Sequence, residues 1–278
     1  MPELPEVETV RRGLADRLKA FEIDRIEVCR DRAIASPGGP QQFVASVCGS
    51  RVGKWSRRGK YLMANLEPNR GVWGVHLRMT GQFQWHEQPR EACRHTRVRF
   101  WNPSGQELRF VDMRSFGEMW WVPPGEPVDS VMKGLRRLGP ESFSEGFTGS
   151  YLLEKLSGSQ RPIKTALLDQ SLVAGAGNIY ADESLFAAGI PPLTPCSLLS
   201  LEQLNRLRDA LVEVLTISIG AGGTTFSDFR DLEGVNGNYG GQAWVYRRGG
   251  EPCRLCGTPI RREKLSGRST HWCPSCQS

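Results

Sequence analysis

No stretch of this 278-residue chain approaches the roughly 18 consecutive apolar residues that a membrane-crossing helix needs, so no membrane partner is expected. The N-terminus carries Glu3, Glu6 and Glu8 where an export leader would carry a basic start and an apolar run, which points to a cytoplasmic protein. Lysine is scarce: of 36 basic residues, seven are lysine and 29 arginine. A planar guanidinium fork grips phosphate in bidentate fashion better than an ammonium does, although GC-rich coding produces the same bias. The cysteines do not form a secreted disulfide framework. Cys29, Cys48, Cys93 and Cys196 are scattered, as buried inert thiols of a reducing compartment are, and the other four cluster near the C-terminus. No internal repeat is present.

What remains is a chain built to fold and to meet a polyanion. Apolar residues make up 39% and charged residues 24%, enough for one large or two ordinary globular domains. The 36 basic against 30 acidic residues leave a net charge of +6, which favours a partner such as nucleic acid without demanding one.

Val7, Val10, Leu14 and Leu18 recur at helical spacing over 5–18, with acidic residues in the first turn where the helix dipole favours them. Alternating segments follow at 23–29, 61–66, 72–78, 96–101, 107–112 and 119–122, separated by turn signals such as Asn102-Pro103-Ser104-Gly105. They predict an antiparallel β-sandwich or flattened barrel. Beyond about residue 130 the period becomes helical, at 150–156, 163–168, 179–187 and 201–219, the last opened by a Ser200/Gln203 capping box. The fold class is therefore α+β. The expected division is a β-sandwich domain over 2–130, a helical domain over 131–222, a Gly-rich polar and mobile loop over 223–242, and a cysteine-bearing hairpin over 243–278.

The strongest local signal is Cys253-x-x-Cys256 followed by Cys273-x-x-Cys276. Two such knuckles can wrap four thiolates around one zinc, in a closed and therefore structural site; a pair of disulfides is the competing arrangement. The hairpin between them carries Arg261, Arg262, Lys264 and Arg268, suited to a nucleic-acid groove. A second signal, Gly175-Ala176-Gly177-Asn178 ahead of a helix, lets backbone N–H groups approach a phosphate, with Asn178 as cap or amide donor and Lys164 near in sequence; it reads equally as a tight helix–helix turn. A third is Arg57-Arg58-Gly59-Lys60. A basic run is usually a solvated face, but lysine is the rarer choice here and the one that can release a proton.

Taken together and in order, "PELPEVE", "RRGKYL", "HLRMTG", "VDMRSFG", "GNIYADESLFAAGI" and the terminal double CxxC resemble the bacterial formamidopyrimidine-DNA glycosylase family. The resemblance implies an N-terminal helix on a β-sandwich, a helix-two-turns-helix domain and a zinc-finger hairpin with one structural zinc. It implies a monomeric, nucleoid-associated enzyme that removes 8-oxoguanine and ring-opened purines from double-stranded DNA and then cuts the strand by β,δ-elimination. On this pattern Met1 is removed, the Pro2 amine attacks C1′, Glu3 donates a proton for base release, and Glu6 supports the same pocket. Lys60 and Arg268 assist strand scission and grip phosphates, with Arg161, Lys164 and Asn178. Met79, Arg114 and Phe116 fill the gap left by the everted base, and His95 contacts the DNA.

Elementary chemistry agrees with a terminal amine as nucleophile. An α-amine titrates near about 8 and lysine near about 10.4, so at neutral pH the amine is neutral on the order of a hundred times more often. The resulting iminium acidifies the C2′ protons, so a single nucleophile serves both base release and elimination. The acids of the first turn read equally as helix-dipole partners. The nearest alternative is the endonuclease VIII family, which acts on oxidised pyrimidines and shares the proline, the helical domain and the zinc hairpin; Leu4 and "VDMRSFG" favour the purine enzyme. A non-catalytic damage-binding module is the alternative of another class, and it has no use for a special N-terminus.

Overall fold

The apolar stripe of the first helix decides where the first core forms. In the computed structural model, which describes residues 1–88, 90–225 and 229–278, α1 spans Leu4–Arg17. It is followed by β1 (Arg25–Val28), α2 (Gly39–Val47), β2 (Arg51–Arg58), β3 (Tyr61–Glu67), β4 (Gly71–His76), β5 (Gly81–His86), β6 (Thr96–Trp101), β7 (Glu107–Asp112) and β8 (Glu118–Val122). The strands make two four-stranded antiparallel sheets, ordered β1-β6-β7-β5 and β2-β3-β4-β8. Trp73 of one sheet lies 4.5 Å from Phe100 and 6.1 Å from Phe83 of the other, ring centroid to centroid, which makes this a sandwich. Val7, Val10, Leu14 and Leu18 of the α1 stripe are buried in the same cluster.

The expected strand ends shift for identifiable reasons. Ile23 exchanges hydrogen bonds with the 49–50 turn, so β1 starts only at Arg25. Arg78 adopts a left-handed φ of 53°, which closes β4 at His76. Three elements between α1 and β8 were absent from the sequence expectation. In β2 a bulge between Val52 and Trp55 breaks the two-residue period, β5 opens on a glycine, and α2 buries only Phe43 and Val47.

The helical part comprises α3 (Val128–Val131), α4 (Gly149–Leu156), α5 (Ile163–Leu167), α6 (Asn178–Ala187) and α7 (Leu201–Gly220). The α7 capping box forms as the sequence predicts: Ser200 N donates to Gln203 Oε1 at 2.9 Å, and Gln203 N donates to Ser200 Oγ at 3.2 Å. The final hairpin pairs β9 (Arg261–Leu265) with β10 (Arg268–Trp272) around a Ser266-Gly267 turn, in which both residues have positive φ.

The chain divides into two compact units, Met1–Arg136 with Ala221–Asn238, and Arg137–Gly220 with Tyr239–Ser278. Most of the loop expected over 223–242 thus groups with the β-sandwich, and its residues 226–228 lie outside the described residues. Among the described residues, no helix is long and apolar enough to cross a membrane.

Gly71 opens β4 with φ +92°, and a Cβ there would stand 2.0 Å from the carbonyl oxygen of Val122. Gly105 has φ +83° with open space around it. Gly105→Ala should therefore cost only left-handed strain, about 1 kcal/mol, and Gly71→Ala at least about 2–3 kcal/mol, because β8 must also move. Chemical denaturation checks this, and equal losses at the two positions would show that the β4–β8 contact yields freely.

Candidate functional site

At the N-terminus, Pro2, Glu3 and Glu6 are all buried, an unusual fate for two carboxylates. The cause is a reciprocal cap. Glu6 accepts the Glu3 N–H at 2.7 Å while the Glu3 side chain receives the Glu6 backbone N–H. The second Glu6 oxygen accepts the N–H of Thr224 at 2.8 Å, so one carboxylate joins the start of α1 to the base of the 221–238 segment. Gly223 comes so close, with φ +82°, that a Cβ would stand 3.0 Å from the Glu6 carboxylate.

Lys60 occupies the two-residue turn between β2 and β3, where Arg58 pairs with Tyr61, and it is only 6% exposed. The turn is tied to α1: Arg57 donates to the Gly59 carbonyl at 2.8 Å and lies 3.4 Å from Glu8. Buried His76 packs edge-on against Tyr61 at 4.4 Å. Burial, with the nearby positive charges of Arg78 and Lys60, holds its pKa down at about 3. Its Nδ1 accepts the Arg78 N–H at 3.0 Å, which leaves the proton on Nε2. A buried ammonium beside an imidazole kept neutral is an environment that can move protons.

The expected wedge residues sit on turns that share one anchor. Asp112 accepts the N–H of Arg114 at 3.1 Å and of Gly117 at 2.7 Å, and also the Thr80 hydroxyl. Its own N–H donates to the His95 carbonyl at 2.9 Å. The segments carrying Met79, His95, Arg114 and Phe116 are thereby joined through a fully buried carboxylate. Phe116 is 38% exposed, with the Arg114 guanidinium 4.9 Å and the Arg32 guanidinium 5.5 Å from its ring centroid. Arg32 was not among the residues expected from sequence.

In the second unit the structure departs from the sequence reading. Lys164 is fully buried, and its ammonium meets the Ser269 carbonyl at 2.7 Å, Thr270 Oγ1 at 2.9 Å and Asp182 Oδ1 at 2.7 Å. Asn178 is the first residue of α6 rather than its cap, and its amide donates to the same Ser269 carbonyl at 2.9 Å. Both residues thus hold the hairpin strand that begins at Arg268, whose own side chain is exposed. Arg161 is tied to Asp169 at 3.0 Å. The adjacent acids of α6 were not singled out from sequence. Asp182 accepts the His271 N–H at 2.9 Å, and Glu183 takes the N–H groups of Trp244, Val245 and Tyr246 at 2.8 to 2.9 Å. Burial pushes the Glu183 carboxyl up against the pull of those donors. The signal available was two acids side by side in a helix whose residues from Tyr180 to Phe186 are all buried.

The four cysteine sulfurs lie within 4.8 Å of one another, with Cys256 and Cys273 at 3.5 Å and Cys253 and Cys276 at 3.9 Å. These separations are far beyond a disulfide bond and bracket the ~3.8 Å edge of a tetrahedron with ~2.3 Å zinc–sulfur bonds. Bonds from Thr258 draw the Cys256 thiol down to about 6, while burial pushes Cys273 up. Four thiolates at this spacing require a cation, and the donor set fits one structural zinc.

Residues 1–119 match the family model described as the formamidopyrimidine-DNA glycosylase N-terminal domain, residues 138–230 the H2TH domain of the same family, and residues 250–278 a zinc finger found in FPG and IleRS. A formamidopyrimidine-DNA glycosylase from Parasynechococcus marenigrum is 76% identical over 277 residues, and one from Prochlorococcus marinus strain MIT 9313 is 66% identical over 290, each covering 100% of both chains. Among solved structures, a point mutant of the Lactococcus lactis protein in complex with Fapy-dG-containing DNA superposes with a TM-score of 0.91 at 34% identity over 100% of both chains. The Lactococcus protein with abasic-site DNA gives 0.91 at 34% identity over 99% of both.

Two outcomes follow from this geometry. Folded His76 stays neutral down to about pH 3, whereas an unfolded imidazole takes its proton near about 6.5. Its contribution to stability is therefore complete above about pH 6.5 and falls away toward pH 3, where the unfolded chain binds the extra proton. His76→Gln should flatten the pH dependence of the urea midpoint in that window, and an unchanged slope would mean that the folded ring is protonated there. For the metal, Cys273→Ala should lower bound zinc from about one per chain toward none and make 253–276 protease-sensitive while the β-sandwich keeps its own unfolding transition. A full zinc complement in that variant would remove the four-thiolate site.

Proposed function

Because the chain belongs to the formamidopyrimidine-DNA glycosylase family, we propose that it excises oxidised purines from double-stranded DNA and cuts the strand at the resulting site. The observation that carries this is the N-terminus. Pro2 and Glu3 are buried where α1 begins, and Glu6 holds the peptide between them and the base of the 221–238 segment, which supports a reacting role for these residues.

After removal of Met1, the Pro2 amine attacks C1′ of the damaged nucleotide. The new C1′–N bond forms as the glycosidic bond breaks, and Glu3 gives the departing base its proton. The C1′–O4′ bond then breaks as the proton of the attacking amine passes to O4′, which leaves an iminium between C1′ and the proline nitrogen. Loss of a C2′ proton then expels the 3′ phosphate, and a second elimination expels the 5′ phosphate. Lys60, beside neutral His76, serves proton transfer in these eliminations, and Arg268 steadies the phosphates. The target base leaves the stack at a cost of a few kcal/mol, and Met79, Arg114 and Phe116 occupy its place, with stacking worth about 1–3 kcal/mol per contact. His95 contacts the DNA from the neighbouring turn. Lys164 and Asn178 act indirectly, through the hairpin strand they hold, and Arg161 contributes at most a peripheral phosphate contact. The zinc, when bound, supplies only a fixed shape to the hairpin. One chain carries every group required, so a monomer on the nucleoid, in the cytoplasm, suffices.

The domain reading that accompanies this function is a catalytic sandwich, a helix-two-turns-helix unit, a segment over 223–242 that covers the everted base, and the zinc hairpin. An endonuclease VIII-like preference for oxidised pyrimidines is the second reading. A complex of the Lactococcus protein with DNA containing an oxidised pyrimidine, which superposes with a TM-score of 0.90 at 34% identity, gives it a specific footing.

Borohydride trapping on duplexes with 8-oxoguanine or thymine glycol tests these alternatives. The chain beginning at Pro2 should cross-link chiefly to 8-oxoguanine duplex through that proline. A variant with one extra N-terminal residue converts the amine to an amide that cannot form an iminium; it should keep DNA binding and lose trapping and several orders of magnitude of excision. Trapping that survives and maps to Lys60 would transfer the nucleophile to the lysine. Preferential trapping on thymine glycol would establish the pyrimidine reading, and none on either lesion a binding module.

A further inference from the structure

We propose that Asp182 is a positioning residue for DNA engagement: through Lys164 it fixes the strand from which Arg268 projects. This rests on the phosphate-gripping role given to Arg268 in the functional reading above. The hairpin offers Arg268 little support of its own. Arg268 follows directly on the Ser266-Gly267 turn, its cross-strand partner is Leu265, and β9 is exposed along most of its length. What fixes the strand lies beneath it. The Ser269 carbonyl, one residue beyond Arg268, receives two donors, the Lys164 ammonium at 2.7 Å and the Asn178 amide at 2.9 Å. One residue further, Thr270 takes a second bond from Lys164 at 2.9 Å, and the backbone of His271 donates to Asp182 Oδ2 at 2.9 Å.

Asp182 makes this arrangement possible. An ammonium with no exposure to solvent needs a counter-charge, and Asp182 Oδ1 supplies it at 2.7 Å. The other oxygen of the same carboxylate faces the His271 N–H and, at 3.2 Å, His271 Nδ1. One buried acid on α6 thus charges the lysine that clamps Ser269 and also clamps the strand two residues on. Without it the buried ammonium loses the carboxylate paired with it at 2.7 Å, the Ser269 carbonyl loses one of its two donors, and the strand that carries Arg268 is held less firmly.

Affinity for a duplex carrying a tetrahydrofuran abasic analogue provides the test, since binding needs no chemistry. Asp182→Asn and Lys164→Met should each weaken it roughly tenfold, the scale of one charge-assisted contact, with zinc still at about one per chain. The double variant removes both buried charges together and should recover thermal stability, because a neutral pair replaces a broken ion pair. It should nevertheless stay weak for DNA, since the donor to Ser269 is still missing. Introduced into Arg268→Ala, Asp182→Asn should add little further loss, as expected of two residues acting through one contact. Affinity that returns together with stability in the double variant would reduce Asp182 to a folding role and overturn the proposal. So would losses that multiply with Arg268→Ala, or zinc that disappears from Asp182→Asn. Arg268→Ala binding as tightly as the parent chain would instead sink the role assigned to Arg268 in the functional reading.

Discussion

A carboxylate taken out of water must be met by donors, and in this protein the donors are the backbone N–H groups of the segments that carry function. Glu6 takes the N–H of Glu3 and of Thr224. Asp112 takes those of Arg114 and Gly117. Glu183 takes three in a row from the chain leading to the zinc hairpin, and Asp182 takes one from the hairpin itself. In each case a buried acid on a regular element takes backbone N–H groups from another segment, an irregular one for Glu6, Asp112 and Glu183 and a strand for Asp182. Helices and strands thereby lend their rigidity to turns, which is where side chains can reach a nucleic acid.

The same constraint explains what the sequence disclosed and what it hid. The α1 stripe, the strands at 96–101 and 107–112, and the α7 capping box were legible because each follows one local rule of period or cap. The four cysteines were legible because their spacing is itself the geometry of the site. In β2 a bulge cancels the alternation and hid that strand, whereas the helix expected over 179–187 is found as α6. Asp182 and Glu183 stood in plain view within the "GNIYADESL" stretch, yet the backbone N–H groups they accept lie 61 to 89 residues away, beyond any local pattern. Lys164 shows the converse. Its neighbourhood in sequence suggested a phosphate, whereas the fold turns its ammonium inward to a carbonyl, a hydroxyl and a carboxylate.

The division of labour between the two basic side chains follows from solvation. Among the described residues, the lysines that are buried are Lys60 and Lys164, one beside neutral His76 and the other paired with Asp182. A compact ammonium can be enclosed by a few acceptors placed around a point. A guanidinium spreads five donors over a plane and is best matched by a carboxylate, a phosphate or an aromatic face. Accordingly Arg114 and Arg32 lie over Phe116, Arg25 and Arg99 over Trp101, and Arg268 projects to solvent. Of the seven lysines, Lys60 and Lys164 are the two enclosed, and the other five are exposed.

Enclosure also orders the two halves of the chemistry. In the β-sandwich the groups assigned to reaction are dry: Pro2, Glu3, Glu6, Lys60 and His76 all lie inside. A charge formed among buried groups is felt by its neighbours more strongly than one in water. The groups assigned to holding DNA lie at or near the surface, where phosphate competes only with water. What joins the exposed groups to rigid structure is in every case buried and charged, Asp112 beneath Arg114 and the Lys164–Asp182 pair beneath Arg268. Affinity for a polyanion thus depends on acidic residues that never touch it, and a count of surface arginines alone misses what holds them in place.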